Sequence, residues 1–409
     1  MATTSQVDEK QVSPAGRSNG QNPKAVAEAT LAAVKEQTHP MTSFVESCLE
    51  TVADSAVAAE RKSRGRPRAP RLLRVLAGKR NILVTTHLHP DPDALASSMA
   101  MVQLLRAKLP AGTRVSMSIK GKVASGINAK FANLSDLELV PWDDERLKEY
   151  DGFVLLDTQP QSSFSPLPKT IETDVVIDHH QGKKHTRPHC PFCDIRTEVG
   201  ATSSMVFSYF MELEVQISPA LAASLLFAIE SDLAGASGTP GELDNIALSS
   251  LTLMADTHRL YQMRYVDLPQ SYYIAYASAL GHAVYYDNAL MSHIDEIDSL
   301  EKPAVMADFL LRFDQVQWAL VTAVHENRLI LSLRTSSKAM SAADMIRKLL
   351  RNWGEGGGHR TKAGGVIPLS NGSPTEVARL RDVLRRRYLS ALKIRATRGQ
   401  RLVPKSNNS

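Results

Sequence analysis

The chain has 409 residues but only three cysteines, Cys48, Cys190 and Cys193. That is too few for a disulfide framework, and it sets the expectation of a reducing compartment. No apolar run approaches the roughly 18 residues of a membrane-spanning helix, so no membrane span is expected. The first residues, MATTSQVDEKQ, carry acids where a signal peptide needs a basic and then an apolar stretch. Glycine and proline, 22 and 21 residues, are too sparse for a collagen-like or low-complexity chain. What is present is ordinary globular material: 43% hydrophobic and 22% charged, over a length that allows two to three domains. The expectation is a soluble cytoplasmic protein.

Charge is modest in sum and uneven in place. The net formal charge is +5, yet residues 61–80 hold nine basic residues and no acid, and residues 381–409 hold nine against Asp382 alone. Removing these +9 and +8 flanks from the +5 leaves −12 on the remainder. An acidic body therefore lies between two basic flanks.

Hydrophobic periodicity divides the chain. Residues 1–70 read as a basic extension, disordered with short helices at 24–36 and 41–62 and a Pro/Arg-rich linker at 63–71. From residue 71 to 255 short β-branched runs alternate with helical patterns: NILVTT (81–86), RVSMSI, LELV (137–140), FVLLDT (153–158) and DVVIDHH (174–180) as strands. ALASSMAMVQLLRAKL (94–109), GATSSMVFSYFMEL (200–213) and LAASLLFAIESDL (221–233) are the helices between and after them. Such alternation predicts an α/β domain with a parallel sheet. Residues 244–298 read as mostly helical, with 256–299 a helical linker. From 300 to 395 a smaller α+β domain is expected: paired strands WALVTAV and RLILSLRT, a helix at 341–353, a glycine loop at 354–365, then a strand and helix. Residues 396–409 form a basic tail.

Three of the predicted strands end in acids and histidines, at the carboxyl edge where open α/β sheets place their sites. THLHPDPDA supplies His87, Asp91 and Asp93; LLDTQP supplies Asp157; Asp178, His179 and His180 close the third; Asp232 ends an apolar helical run. Any one of these is an ordinary cap or turn acid. Four carboxylates in one pocket, however, repel one another and resist joint ionisation unless divalent cations balance them. The −4 of Asp91, Asp93, Asp157 and Asp232 matches two such ions. Carboxylate and imidazole donors suit Mn(II), Mg(II) or Fe(II), and a two-metal site suits displacement at phosphorus.

HxxxDxD, an isolated strand-end Asp, a literal Asp-His-His and a downstream Asp resemble the DHH phosphoesterase superfamily. The GGGH run resembles the superfamily's associated substrate-binding domain. Over about residues 75–395 the chain looks most like the branch of bifunctional nano-RNase (oligoribonuclease) and pAp phosphatases. The resemblance implies a catalytic domain and a smaller one with the active site in the cleft between them. It implies one metal at His87, Asp91 and Asp157, and a second at Asp93, Asp157, His179 and Asp232, with Mn(II) the first choice. It implies Asp178 as an orienting group and His180 on the scissile phosphate. Arg334 and the run Gly356, Gly357, Gly358 and His359 would bind the rest of a short oligonucleotide or nucleotide. The sequence departs from the pattern at Pro92, Glu355 and Lys362, where small residues are usual; these bear on substrate preference. His89 matches no family role and reads as an orienting or solvent-facing residue. A cyclic-dinucleotide phosphodiesterase, and a nucleic-acid-binding or regulatory protein on the same scaffold, are the alternatives. A homodimer remains open.

Other signals carry less. Cys190 and Cys193, with His185 and His189 before them, have zinc-ligand spacing, but RPHCPFCDIR reads as a connecting strand. RGRP within SRGRPRAP is the core of a minor-groove AT-hook, and also a common sequence in basic linkers. The Arg-rich flanks could make weak nucleic-acid contacts. No P-loop lysine and no recognisable nucleophile triad is present.

Overall fold

The computed structural model describes residues 68–121, 123, 126–180, 190–234, 240–358, 360–396 and 398–404. The expected N-terminal helices, the RGRP run, His185, His189 and His359 lie outside the described residues.

The first described element is α1 (Ala69–Leu76), which has Pro70 in its first turn and buries Ala69, Leu72 and Leu76 along one stripe. A parallel sheet follows: β1 (Asn81–Thr85), β2 (Arg114–Met117), β3 (Gly152–Leu156), β4 (Val175–Asp178) and β5 (Phe192–Ile195), in the order β2-β1-β3-β4-β5. These strands are apolar at nearly every position because both sheet faces are covered. Ile82, Val84, Val154, Leu156, Val175 and Ile177 enter one core, and Leu83, Phe153, Leu155 and Val176 the opposite one. The helices are α2 (Pro92–Lys108), α3 (Ile127–Leu134), α4 (Thr202–Glu212), α5 (Pro219–Leu233), α6 (Glu242–Met254) and α7 (Thr257–Arg264). Helix α2 packs against both α4 and α5.

LELV (137–140) is not a strand. One bond, Val140 N–H to the Met117 carbonyl at 2.9 Å, ties it to β2. Leu139 and Val140 are exposed and only Leu137 packs against the core, so the run lacks a continuous buried face, and Pro141 supplies no further donor.

The second sheet begins earlier than the sequence indicates. After α8 (Gln270–His282) come β6 (Val284–Tyr286) and β7 (Ala289–Glu296), within the segment read as helical. Tyr286 pairs with Ala289 across a two-residue turn at Asp287 and Asn288, with Asp287 at φ +48°. That Asp-Asn pair was the missed hairpin signal. The chain continues through α9 (Lys302–Leu310), β8 (Trp318–His325), β9 (Arg328–Thr335), α10 (Ala342–Leu350), β10 (Glu355–Gly358), β11 (Lys362–Pro368), α11 (Pro374–Ala391) and β12 (Gln400–Arg401). Strand order is β10-β11-β9-β8-β7-β6-β12, with β7 and β8 parallel and the other pairs antiparallel. Leu320, Leu331 and Leu333 pack with Met345, Leu349, Leu384 and Tyr388 on one face. Ala319, Val321 and Ala323 pack with Met306 and Leu310 on the other.

Two more expectations change here. The glycine run at 355–358 is strand β10, paired to β11, rather than a loop. A Cβ on Gly356 would lie 2.7 Å from the Gly364 carbonyl, and Gly358, at φ +149°, would meet the Ala363 Cα at 2.5 Å. Glycine is required there so that two backbones can approach. Within the basic tail, Gln400 and Arg401 add β12 to the sheet beside β6.

Candidate metal centre

The parallel sheet brings its acids together by topology. Strands β1, β3 and β4 are adjacent and run the same way, so the residues just beyond them emerge at one edge. His87 and Asp91 follow β1, Asp157 follows β3, and Asp178 closes β4 ahead of His179 and His180. Pro92 is the first residue of α2, where its ring fits the opening turn. Asp91 caps that helix, one carboxylate oxygen accepting from Ala94 N–H at 3.0 Å. The Pro departure therefore anchors the acid beside it.

Three groups of potential ligands result: His87, Asp91 and Asp157; Asp93, His179 and Asp232; and Asp157, His179 and His180. Within each group one donor atom per residue lies within 4.8 Å of the others. Asp157 joins the groups, with Oδ2 at 3.4 Å from His87 Nε2 and Oδ1 at 3.5 Å from His179 Nε2. His179 Nε2 also lies 3.4 Å from Asp232 Oδ2 and 4.0 Å from Asp93 Oδ2. The first group has the residues of one set that the resemblance implied; the second has three of the other set's four, with Asp157 outside the group but 3.5 Å from its His179. The third, which brings in His180, was not anticipated.

Asp157 holds φ +57°, an uncommon backbone for a residue with a side chain. Its N–H bonds the Ile177 carbonyl at 2.9 Å, so the neighbouring strand keeps it there. Such strain concentrates where a side chain must be aimed.

Polar neighbours fix the remaining groups. Thr202 and Ser203 open α4 and point their N–H groups at the two oxygens of Asp93, at 2.7 and 2.8 Å. A buried anion at a helix N-terminus is favourably placed. The Thr202 hydroxyl donates to Asp157 Oδ1 at 2.8 Å. Asp178, fully buried, bonds His180 Nδ1 at 2.6 Å and accepts from the Gln159 amide at 2.8 Å. His179 Nδ1 lies 3.3 Å from the Val199 carbonyl, which leaves Nε2 toward the cluster. Gln159, Thr202 and Ser203 are neutral and carry no motif, although the helical pattern read over 200–213 includes the last two.

Electrostatics favour cations. Burial and then the Asp157 charge push the Asp91 carboxyl up, with His87 pulling the other way. The same two causes drive Asp93 well above the usual range. For Asp157, burial acts upward, but the imidazoles of His180, His87 and His179 hold it below the ordinary carboxylate range. Buried acids that resist ionisation together, beside imidazole nitrogens, fit divalent ions with hard oxygen and nitrogen ligands.

Arg334 and the glycine strand flank the start of β11. Lys362 pairs with Arg334 on one side, and Ala363 with Gly358 on the other. Arg334 Nε donates to Asp308 at 2.7 Å, a partner the sequence did not indicate. No Cβ-level neighbour stands over Gly357, whose backbone is therefore approachable. His89 is exposed, and Cys193 lies in β5, the expected strand. Among the described residues, no metal-ligand group includes either cysteine.

Part of the basic flank belongs to the fold. Arg68 pairs with buried Asp194, which also accepts from Arg196 at 2.7 Å and the Tyr209 hydroxyl at 2.6 Å. Among the described residues no helix is long and apolar enough to cross a membrane.

An uncharacterized protein of Methanocaldococcus jannaschii is 29% identical over 293 residues, covering 71% of this chain and 59% of that relative. The chain thus spans about three-fifths of the relative's length. The crystal structure of an exopolyphosphatase-related protein from Bacteroides fragilis superposes with a TM-score of 0.63 at 17% identity. It covers 80% of this chain and 97% of that one, a likeness of fold. A more distant likeness is RecJ in complex with Mn2+ from Thermus thermophilus, with a TM-score of 0.43, 16% identity, and coverage of 82% and 55%. Residues 81–229 match the family described as the DHH family, N-terminal domain. That segment contains every strand of the parallel sheet.

Proposed function

We propose that this protein is a metal-dependent phosphoesterase that hydrolyses short oligonucleotides or pAp-like nucleotides. The observation that carries the reading is the place of Asp157, in one group with His87 and Asp91 and 3.5 Å from His179 of the group with Asp93 and Asp232. His87, Asp91 and Asp157 would hold one divalent ion; Asp93, Asp157, His179 and Asp232 would hold the other, Mn(II) being the first choice. Such a pair, when bound, polarises a phosphoryl group and lowers the pKa of water.

The other residues bind and orient. Burial works against protonation of His180, yet Asp178 and Asp157 raise its pKa to about 10. An imidazolium fixed by Asp178 is suited to hold a phosphoryl oxygen. Arg334, His359 and the backbone of Gly356, Gly357 and Gly358 would hold the remainder of a short nucleotide, selecting by position rather than by base.

Turnover of di- to decanucleotides, pAp and cyclic dinucleotides with Mn(II) tests the reading, with Asp157→Ala as control. The expected result is hydrolysis of the short linear substrates, abolished in Asp157→Ala. Preference for cyclic substrates would reassign the substrate. Full activity in the variant would remove the mechanism.

A further inference from the structure

Lys362 joins the two sheets' elements at the candidate centre. It opens β11, and its Nζ donates to the Asp232 carbonyl at 2.7 Å and the Ser231 carbonyl at 3.2 Å. Those carbonyls belong to the last turn of α5, which ends at Leu233. Helix C-terminal carbonyls have no intrahelical donor, and the dipole there favours a cation. The ammonium thus has a main-chain seat independent of any carboxylate.

The Asp232 carboxylate is divided between two neighbours. Oδ1 lies 3.5 Å from Lys362 Nζ, while Oδ2 lies 3.4 Å from His179 Nε2, within the ligand group. An anion at the C-terminal end of a helix is disfavoured by the dipole, and a cation on its outer oxygen offsets that cost. Both side chains are largely buried, 19% and 18% exposed, so solvent screens the pair only in part. Lys362 also has Arg334 directly opposite on β9, and the next residue, Ala363, faces Gly358 on β10.

We propose that Lys362 is a positioning residue. Seated on the end of α5, it holds Asp232 by the oxygen turned away from His179 and fixes the β10–β11 hairpin beside the metal centre. This deepens the phosphoesterase reading and rests on Asp232 being a metal ligand. Outer partners of metal-binding carboxylates orient them, and their loss typically lowers metal affinity or activity about 10–100-fold. The usual small residue at this position would have no ammonium to reach α5.

Two measurements on the full chain test this, with Lys362→Met removing the charge and Lys362→Arg retaining it. In the metal-free protein, hydrogen exchange is followed over residues 229–233 and 362–368. Lys362→Met is expected to exchange faster in both segments, and Lys362→Arg to stay near the wild type. In Mn(II) calorimetry, Lys362→Met is expected to weaken one of two classes of site about 10–100-fold, leaving the other unchanged. A folded Lys362→Met variant with wild-type exchange and wild-type Mn(II) binding overturns the role of Lys362. A wild type that takes up no Mn(II) overturns instead the metal-centre reading, while the metal-free exchange still reports on the link between β11 and α5.

Discussion

Thr202 binds two carboxylates at once: its N–H donates to Asp93 at 2.7 Å and its hydroxyl to Asp157 at 2.8 Å. One residue at the start of α4 therefore sets the spacing of two acids that come from α2 and from the end of β3. Removing the hydroxyl while keeping the shape isolates the second bond. Thr202→Val should lower Mn(II) affinity about 10–100-fold without unfolding the protein, as calorimetry beside a melting curve would show. Unaltered affinity would mean that the strand geometry alone aims Asp157.

Asp91 carries charge that the fold does not need. Its capping bond to Ala94 survives in Asp91→Asn, since asparagine caps as well as aspartate. Burial and the Asp157 charge already oppose its ionisation. In metal-free protein the variant should be about 1 kcal/mol more stable, while losing Mn(II) affinity, the usual trade at a functional site. Denaturant titration with and without Mn(II) separates the two effects.

The opposite holds at Asp194. It serves Arg68, Arg196 and Tyr209, and both Asp194 and Arg196 are 1% exposed. Asp194→Ala would leave the Arg196 charge buried beside a cavity, at a cost of about 3–5 kcal/mol. A loss below about 1 kcal/mol in urea unfolding, the value of an exposed pair, would contradict the network.

His293 supplies a pH dependence outside the metal centre. It lies 2% exposed on β7, with Nδ1 2.9 Å from the Thr322 hydroxyl on β8. Burial first, then Arg381 of α11 and His282 of α8, lower its pKa to about 4, against the opposing charge of Asp295. The unfolded chain takes up this proton near pH 6.5, before the folded one does. Stability contributed by the neutral ring is therefore present above pH 6.5 and lost as pH falls toward 4, by roughly 3 kcal/mol. His293→Asn can retain the Thr322 bond and should flatten that limb of a stability-against-pH curve.

Much of the site was legible because it depends on strand ends. Apolar runs marked β1, β3 and β4, and the acids after them had to share an edge once the strands were parallel. The departures arose where partners are distant in sequence. LELV has strand composition but only Leu137 meets the core, whereas β6 and β7 have a helical look that a two-residue turn and a neighbouring β8 override. The glycines of β10 read as a loop because only β11 shows why side chains are excluded there.

By itself, the sequence determined which acids and histidines follow which strands, and that four carboxylates brought into one pocket would call for cations. Tertiary structure alone decided how those donors are held. Asp157 is kept at φ +57° by its bond to Ile177, Asp93 by the first turn of α4, and Asp232 meets an ammonium 130 residues away. A motif records the residues that would touch an ion. The neutral hydroxyls, amides and the single lysine that aim them act through short-range hydrogen bonds, which form only when separate elements pack.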